Sequence, residues 1–306
     1  MEMKRKKWRS FWKELKKQRA GYLFILPQFF LFFTLMIFPI LNGIRLSLYK
    51  ITFKGSTFVG LSNYIKLFND PYFIKAISNT VLFVVCIVTL SVVVGIIVAA
   101  AIFDKKPKFV SFIRGCYYIP VAVSMVVMAV TWSFLFSTAN GLINYIVTSF
   151  GGAGINWLGD AKIVMPIIIF VTFVSNVGQV IVLYVAAMIG IPVELFEAGM
   201  VDGVSPLIRF RHIILPLVRP TTIYVLITQT IAVIKIYVVI QLLTNGGPNH
   251  ASVTLMYYLY EKAFVNMNQT GEAAAIGVIM FIICIILSVL QFLLTKEKTK
   301  TVRVKR

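Results

Sequence analysis

Apolar residues run through this chain in long blocks, without the alternation of a half-buried strand or the spacing of an amphipathic helix. A membrane-crossing helix needs about 20 mostly apolar residues to span a hydrocarbon core of about 30 Å. Six stretches meet that requirement, at residues 22–46, 81–103, 117–136, 163–189, 221–243 and 273–294. The second and sixth, which contain VLFVVCIVTLSVVVGIIVAAAIF and AAAIGVIMFIICIILSVLQFLL, are the purest, and the third and fifth have the least defined edges. Backbone polar groups in lipid must be satisfied by a helix or a closed barrel. No segment of about ten residues alternates as a barrel strand would, so the pattern predicts an all-α membrane protein with six transmembrane helices. The basic segment before the first run has the outline of a signal peptide. That run continues through Leu41 without a small-x-small cleavage site, however, and reads as an uncleaved first span.

Composition agrees, with 59% hydrophobic residues, 13% charged residues and a mean hydropathy of +0.88. The net charge of +19, from 30 Lys and Arg against 11 Asp and Glu, would suggest a nucleic-acid partner in a soluble protein. In a membrane protein, basic residues gather in cytoplasmic segments. With a cytoplasmic N-terminus, the inside segments hold most of them: the tail 1–20, Lys105, Lys106, Lys108 and Arg114, then Arg209, Arg211 and Arg219, and the tail 296–306. The predicted layout is a basic cytoplasmic tail at 1–20, a membrane body at 21–295 and a basic cytoplasmic tail at 296–306, multi-pass with both termini inside. The charge thus reports topology and contact with the lipid bilayer, at about 1 kcal/mol per basic residue near anionic lipid, and nucleic acid is not expected as a partner.

Enzymatic and metal chemistry finds little support. Cys86, Cys116 and Cys284 are scattered in or beside apolar runs, with no C-x-x-C or Cys/His cluster. His212 and His250 fall on opposite sides of the predicted membrane. No G-x-x-x-x-G-K-[ST] occurs, and GGAGINW at 151–157 lacks the Lys and Ser/Thr that hold phosphate and Mg²⁺. There is no H-E-x-x-H or G-x-S-x-G motif. The expectation is a subunit with no catalytic residue, no metal and no cofactor of its own.

The cytoplasmic loop IPVELFEAGMVDGVSPLIRFRHIILPLVRP divides into two short helices at about 192–216. Pro192 suits a first helical position, Glu194 and Glu197 lie near a positive helix start, and Gly203 suits a left-handed cap. Ser205 and Pro206 open a second helix, basic toward its end, which is expected to stop before Pro216. Leu195, Phe196, Met200, Leu207 and Phe210 are apolar residues that a solvated connector would not need, so the loop reads as a partner surface.

The spacing Glu197-Ala198-Gly199, Asp202-Gly203, then Ile213-x-Leu215-Pro216, resembles the E-A-A-x3-G-x9-I-x-L-P motif of binding-protein-dependent ABC importer permeases, with Gly199 where Ala is usual. FVGLSNYIKLFNDPYFIKAISNT, RFRHIILPLVRP and QLLTNGGPNHASVTL are similar to the maltose-type and glycerol-phosphate-type carbohydrate permeases, and the resemblance covers about 21–294. It implies a type I importer permease domain in a prokaryotic cell membrane. It implies also a second homologous permease as partner, two separate ATPase subunits that use ATP and Mg, and an extracytoplasmic substrate-binding protein delivering sugar. Glu197, Ala198, Gly199, Asp202, Gly203, Arg209, Ile213, Leu215 and Pro216 would then couple to the ATPase. The turn at 244–248 would lie near the external gate.

Polar groups at membrane depth mark pathways or helix contacts. Lys235, read as mid-span, would cost about 2.5–3.5 kcal/mol unless it meets a cavity or a partner. Thr172, Ser175, Asn176 and Gln179 share one helical face. Tyr237 offers a ring for sugar stacking, and Ser124 and Gln229 offer hydrogen bonds. The family's usual Trp is absent at Val174. Each of these has a packing role as its alternative. Trp132 and Trp157 read as anchors at the outer interface, and Trp8 and Trp12 at the inner. The reading is a sugar or oligosaccharide ABC permease. A glycerol-phosphate permease and an ion-coupled secondary transporter are the alternatives.

Overall fold

The computed structural model describes residues 19–52, 55–201, 203–266 and 269–295. Nearly all of both tails, with Trp8 and Trp12, and Asp202 lie outside the described residues. Among the described residues the regular structure is helical apart from one hairpin, and the helices are numbered here in chain order.

The first span joins α1 (Arg19–Phe32) and α2 (Phe38–Leu46) through a π turn at Phe33–Ile37. A hairpin of β1 (Tyr49–Thr52) and β2 (Gly55–Phe58) follows, antiparallel with Tyr49 opposite Phe58, and then α3 (Ser62–Phe68). Next comes the long α4 (Pro71–Ile102), which starts ten residues before the apolar run at Val81. Asp70 caps it by accepting from the Tyr72 amide at 2.9 Å, and Pro71 fills the first position, where no amide is needed. α5 (Pro107–Ala122), α6 (Met125–Leu135) and α7 (Leu142–Ser149) lead to α8 (Val164–Ile189).

Among the described residues four helices are each long and apolar enough to cross a membrane: Gly21–Leu46, Pro71–Ile102, Val164–Ile189 and Thr270–Leu294. The other two predicted spans are not straight. The third is a pair, Pro107–Ala122 and Met125–Leu135, bent by 92°. Pro120 removes an amide from the last turn of α5, and Val123 and Ser124 take extended conformations at the corner. At the fifth, Pro206–Leu217, which belongs to the preceding loop, meets Arg219–Ile234 across a 65° bend. The helix expected over 221–243 is interrupted: α12 (Arg219–Ile234) ends, residues 235–237 are non-helical, and α13 (Val238–Leu243) restarts. α14 (Leu255–Tyr260), a π turn (Glu261–Val265) and α15 (Thr270–Thr295) complete the described residues.

Two apolar clusters lie along the bundle. One, toward the hairpin end, includes Phe73, Phe83, Ile87, Ile168, Ile240 and Leu255. The other, toward the end carrying residues 191–218, includes Ile102, Val180, Tyr184, Met188, Ile214 and Val218. α5 crosses α8 closely at Gly178, where a Cβ would sit 1.9 Å from the Tyr117 carbonyl oxygen. The outer surface is strongly apolar, and Phe24 on the first span is 87% exposed. Water would not tolerate so extensive a surface; lipid or another subunit covers it.

Candidate functional site

Residues 191–218 form a compact helical hairpin at one end of the bundle. Ile191 anchors its start in the second apolar cluster. α9 (Val193–Val201) begins one residue after Pro192. Gly203 closes it at φ +67°, and the Val204 amide donates back to the Gly199 carbonyl at 2.9 Å. This is a Schellman arrangement, which satisfies a carbonyl that the helix end would otherwise leave unpaired. Ser205 then caps α10 (Pro206–Arg209), accepting from the Ile208 amide at 3.4 Å. The helix does not stop before Pro216. A π turn at Phe210–Ile214 carries it into α11 (Leu215–Leu217), and the break comes at Val218. The wider turn shifts the bonding so that Leu215 donates to Phe210, and Pro216 enters as an early position of a new segment.

The two helices pack on each other at Gly199. A Cβ there would lie 3.3 Å from Arg209 Cδ and 3.6 Å from Ile213 Cδ1, so the departure from Ala sits where the Arg209 stem crosses α9. Glu197, Leu195, Leu207 and Pro216 are exposed, with Leu207 at 76%, whereas Ile213 and Leu215 are half-buried. Ala198 lies within α9. Arg211 and His212 are exposed, and His212 Nδ1 lies 3.1 Å from the Ile208 carbonyl, to which it donates. The motif residues that fall within the described residues thus form one structural unit.

The membrane-depth residues divide. Thr172 and Ser175 are buried between helices, and Asn176 and Gln179 are half-buried. Ser175 donates to the Val171 carbonyl at 2.9 Å and Asn176 to the Thr172 carbonyl at 2.7 Å, so these two serve their own helix. Gln229 is buried, and its Oε1 has no partner among the described residues. Ser124 is exposed at the corner between α5 and α6. Lys235 is not mid-helix: it is the exposed C-cap of α12, where a cation complements the helix carbonyls. Tyr237, two residues on, stacks on Tyr260 at 4.9 Å, and the Gln241 amide donates to the Tyr260 hydroxyl at 2.9 Å. Lys235 and Tyr237 both lie in the non-helical stretch 235–237. The roles of Gln241 and Tyr260 are not evident in the sequence, because their partners come from different elements.

The hairpin end is tied by polar contacts. Asn79 donates to the carbonyls of Ala251 and Val253 at 3.0 and 2.9 Å, fixing the 244–254 turn to α4. Tyr258 donates to Asp70, and its phenol is pushed above the ordinary tyrosine range first by burial and then by that bond. Lys262 pairs with Glu272 at 2.9 Å. The Trp157 indole donates to Asn144 at 2.9 Å, and Asn144 also accepts from the Ile155 amide. Among the described residues no three His, Cys, Asp or Glu side chains come together as a metal site.

Residues 91–300 match the family described as binding-protein-dependent transport system inner membrane component. The probable ABC transporter permease protein YurN of Bacillus subtilis (strain 168) is 34% identical over 88% of this chain and 94% of its own length. The lactose transport system permease protein LacF of Rhizobium radiobacter is 30% identical over 91% of this chain and 94% of its own. The sn-glycerol-3-phosphate transport system permease protein UgpA of Salmonella choleraesuis (strain SC-B67) is 31% identical over 95% and 99%. A crystallised chain of a bacterial ABC transporter that imports the acidic polysaccharide alginate superposes with a TM-score of 0.83 over 95% of this chain and 100% of that one, at 21% identity.

Proposed function

The chain belongs to the binding-protein-dependent transport system inner membrane component family and is a permease subunit of an ABC importer, and we propose that its cargo is a sugar or oligosaccharide. It forms half of the translocation path beside a second homologous permease, faces an extracytoplasmic binding protein, and leaves ATP hydrolysis to two separate subunits. Both tails lie in the cytoplasm, because the basic residues of 1–20, 104–114 and 296–306 then fall on one side.

The observation that carries the coupling role is the Schellman-closed hairpin at 193–217, which presents Glu197 and Leu207 outward while Ile191 and Ile214 hold it to the span ends. A rigid lever of this kind transmits a push on its outer face into α8 and α12. Glu197→Lys reverses the charge at one exposed position of that face. Gly203→Asp puts a side chain at φ +67°, where L residues are disfavoured. Each variant is expected to co-purify with much less ATPase while the permease still inserts. Undiminished ATPase recovery with both would refute the coupling assignment.

Sugar import is supported by the lactose relative and by the aromatic pair Tyr237 and Tyr260 beside the helix break. A second reading, a polyol phosphate, is favoured by Lys235, a cation exposed at that break, and by the glycerol-phosphate relative. Discontinuous helices with exposed backbone ends are common in transport sites. Competition for uptake separates the two: neutral oligosaccharides compete on the first reading, and only phosphate esters on the second.

A further inference from the structure

Behind the coupling hairpin, between it and the ends of α4 and α8, lies a cavity of about 760 Å³. Its walls are apolar, with Ile97, Met188, Ile189, Phe210 and Ile214 among them. Two charged residues reach it, Arg209 and Asp104, and they stand differently. The Asp104 carboxylate is exposed and lies 3.4 Å from the Lys105 ammonium. Arg209 has its stem laid against Gly199, and its Nε is buried without a hydrogen-bond partner among the described residues. A guanidinium donor left unmet in an apolar chamber is costly, and an anion is its natural complement.

The position of the chamber narrows the anion. Ile97 and Ile189 line it from the last two turns of two spans, and each is 57% exposed on the bundle surface. Its edge is therefore continuous with the exposed apolar surface of the bundle, near the ends of the two spans. Lys105, Lys106 and Lys108 are exposed nearby in sequence and add positive potential. A free phosphate would meet Arg209 and leave the apolar walls unfilled; a neutral acyl chain would do the reverse.

We propose that this cavity binds an anionic phospholipid from the leaflet on the hairpin side, with an acyl chain between Ile97 and Phe210 and the phosphate on the Arg209 guanidinium. A lipid held there bridges the span ends and the coupling hairpin, so headgroup composition tunes the stiffness of the joint. The proposal rests on the hairpin lying at a membrane surface, and not on an ATPase docking there.

Native mass spectrometry of the purified importer, equilibrated in detergent with phosphatidylglycerol or phosphatidylcholine, tests it. Wild type is expected to retain one phosphatidylglycerol about tenfold better than phosphatidylcholine. Arg209→Gln is expected to abolish the headgroup preference. Ala101→Trp, at an exposed position of the lining, is expected to abolish retention of that lipid while lipids bound to the basic tails persist. Equal retention of both lipids by wild type, or unchanged phosphatidylglycerol retention in both variants, overturns the proposal. So does displacement of the lipid by inorganic phosphate, which would assign the site to the free anion. A cross-link from cysteine at Ala101 to an ATPase subunit would assign the chamber to protein and overturn it too. Because lipid retention is read without ATP turnover, its failure is distinct from failure of the coupling role.

Discussion

Two glycines on neighbouring helices face opposite constraints. At Gly199 the neighbour is the flexible Arg209 stem, 3.3 Å from where a Cβ would stand. Helix propensity favours Ala over Gly by about 1 kcal/mol, which exceeds the cost of moving a long side chain a few tenths of an ångström. Gly199→Ala is therefore expected to leave thermal stability in detergent unchanged or slightly raised, and a clear drop would contradict the packing described for the hairpin. At Gly178 the neighbour is backbone, the Tyr117 carbonyl oxygen at 1.9 Å, which cannot move without displacing α5 from α8. Gly178→Ala is expected to cost at least about 1–3 kcal/mol, the range for overpacking a close contact, seen as a lower unfolding temperature or loss of folded protein. Gly203 could be read in the sequence because a helix signal precedes it and a Ser-Pro start follows. Gly178 could not, because one glycine in an apolar run does not reveal which backbone crosses it. Lys235 was visible as a polar intruder, but its position at a helix end was hidden because the surrounding residues stay apolar on both sides of the break.

Among the elements, α8 and α15 follow the apolar runs closely, since an uninterrupted run in lipid has a helix as its simplest solution. Hydropathy measures length and is blind to bends, so the corner at Val123 and Ser124 and the gap at 235–237 were not foreseen. The early start of α4 at Pro71 was also missed, because residues 71–80 mix polar and apolar types. There Asn79 joins two elements far apart in sequence through the carbonyls of Ala251 and Val253. Asn79→Leu fills similar space and leaves those carbonyls unpaired where Asn79 is buried, at a cost of about 1–3 kcal/mol. Limited proteolysis is expected to cut within 244–254 faster in this variant than in wild type; equal rates would mean that the tie does not hold the turn. The motif at 197–216 is legible as a pattern of residues. The cavity behind it is not, because its walls come from three separate stretches of chain.

For the whole molecule, the net charge of +19 becomes a statement about sidedness. Cysteines introduced in the tails 1–20 and 296–306 are expected to resist a membrane-impermeant maleimide in intact cells, while one replacing the exposed Lys162 is expected to react. Labelling of either tail would reverse the proposed topology. The exposed apolar surface of the first span and the polar groups at the helix break both suit a chain that lies in lipid and is completed by a partner. The decisive measurement is uptake into proteoliposomes containing this chain alone, or this chain with its partner permease, ATPase and binding protein. Uptake that requires the full set and ATP is the expected result. Uptake by the single chain, driven by an ion gradient without ATP, would contradict it.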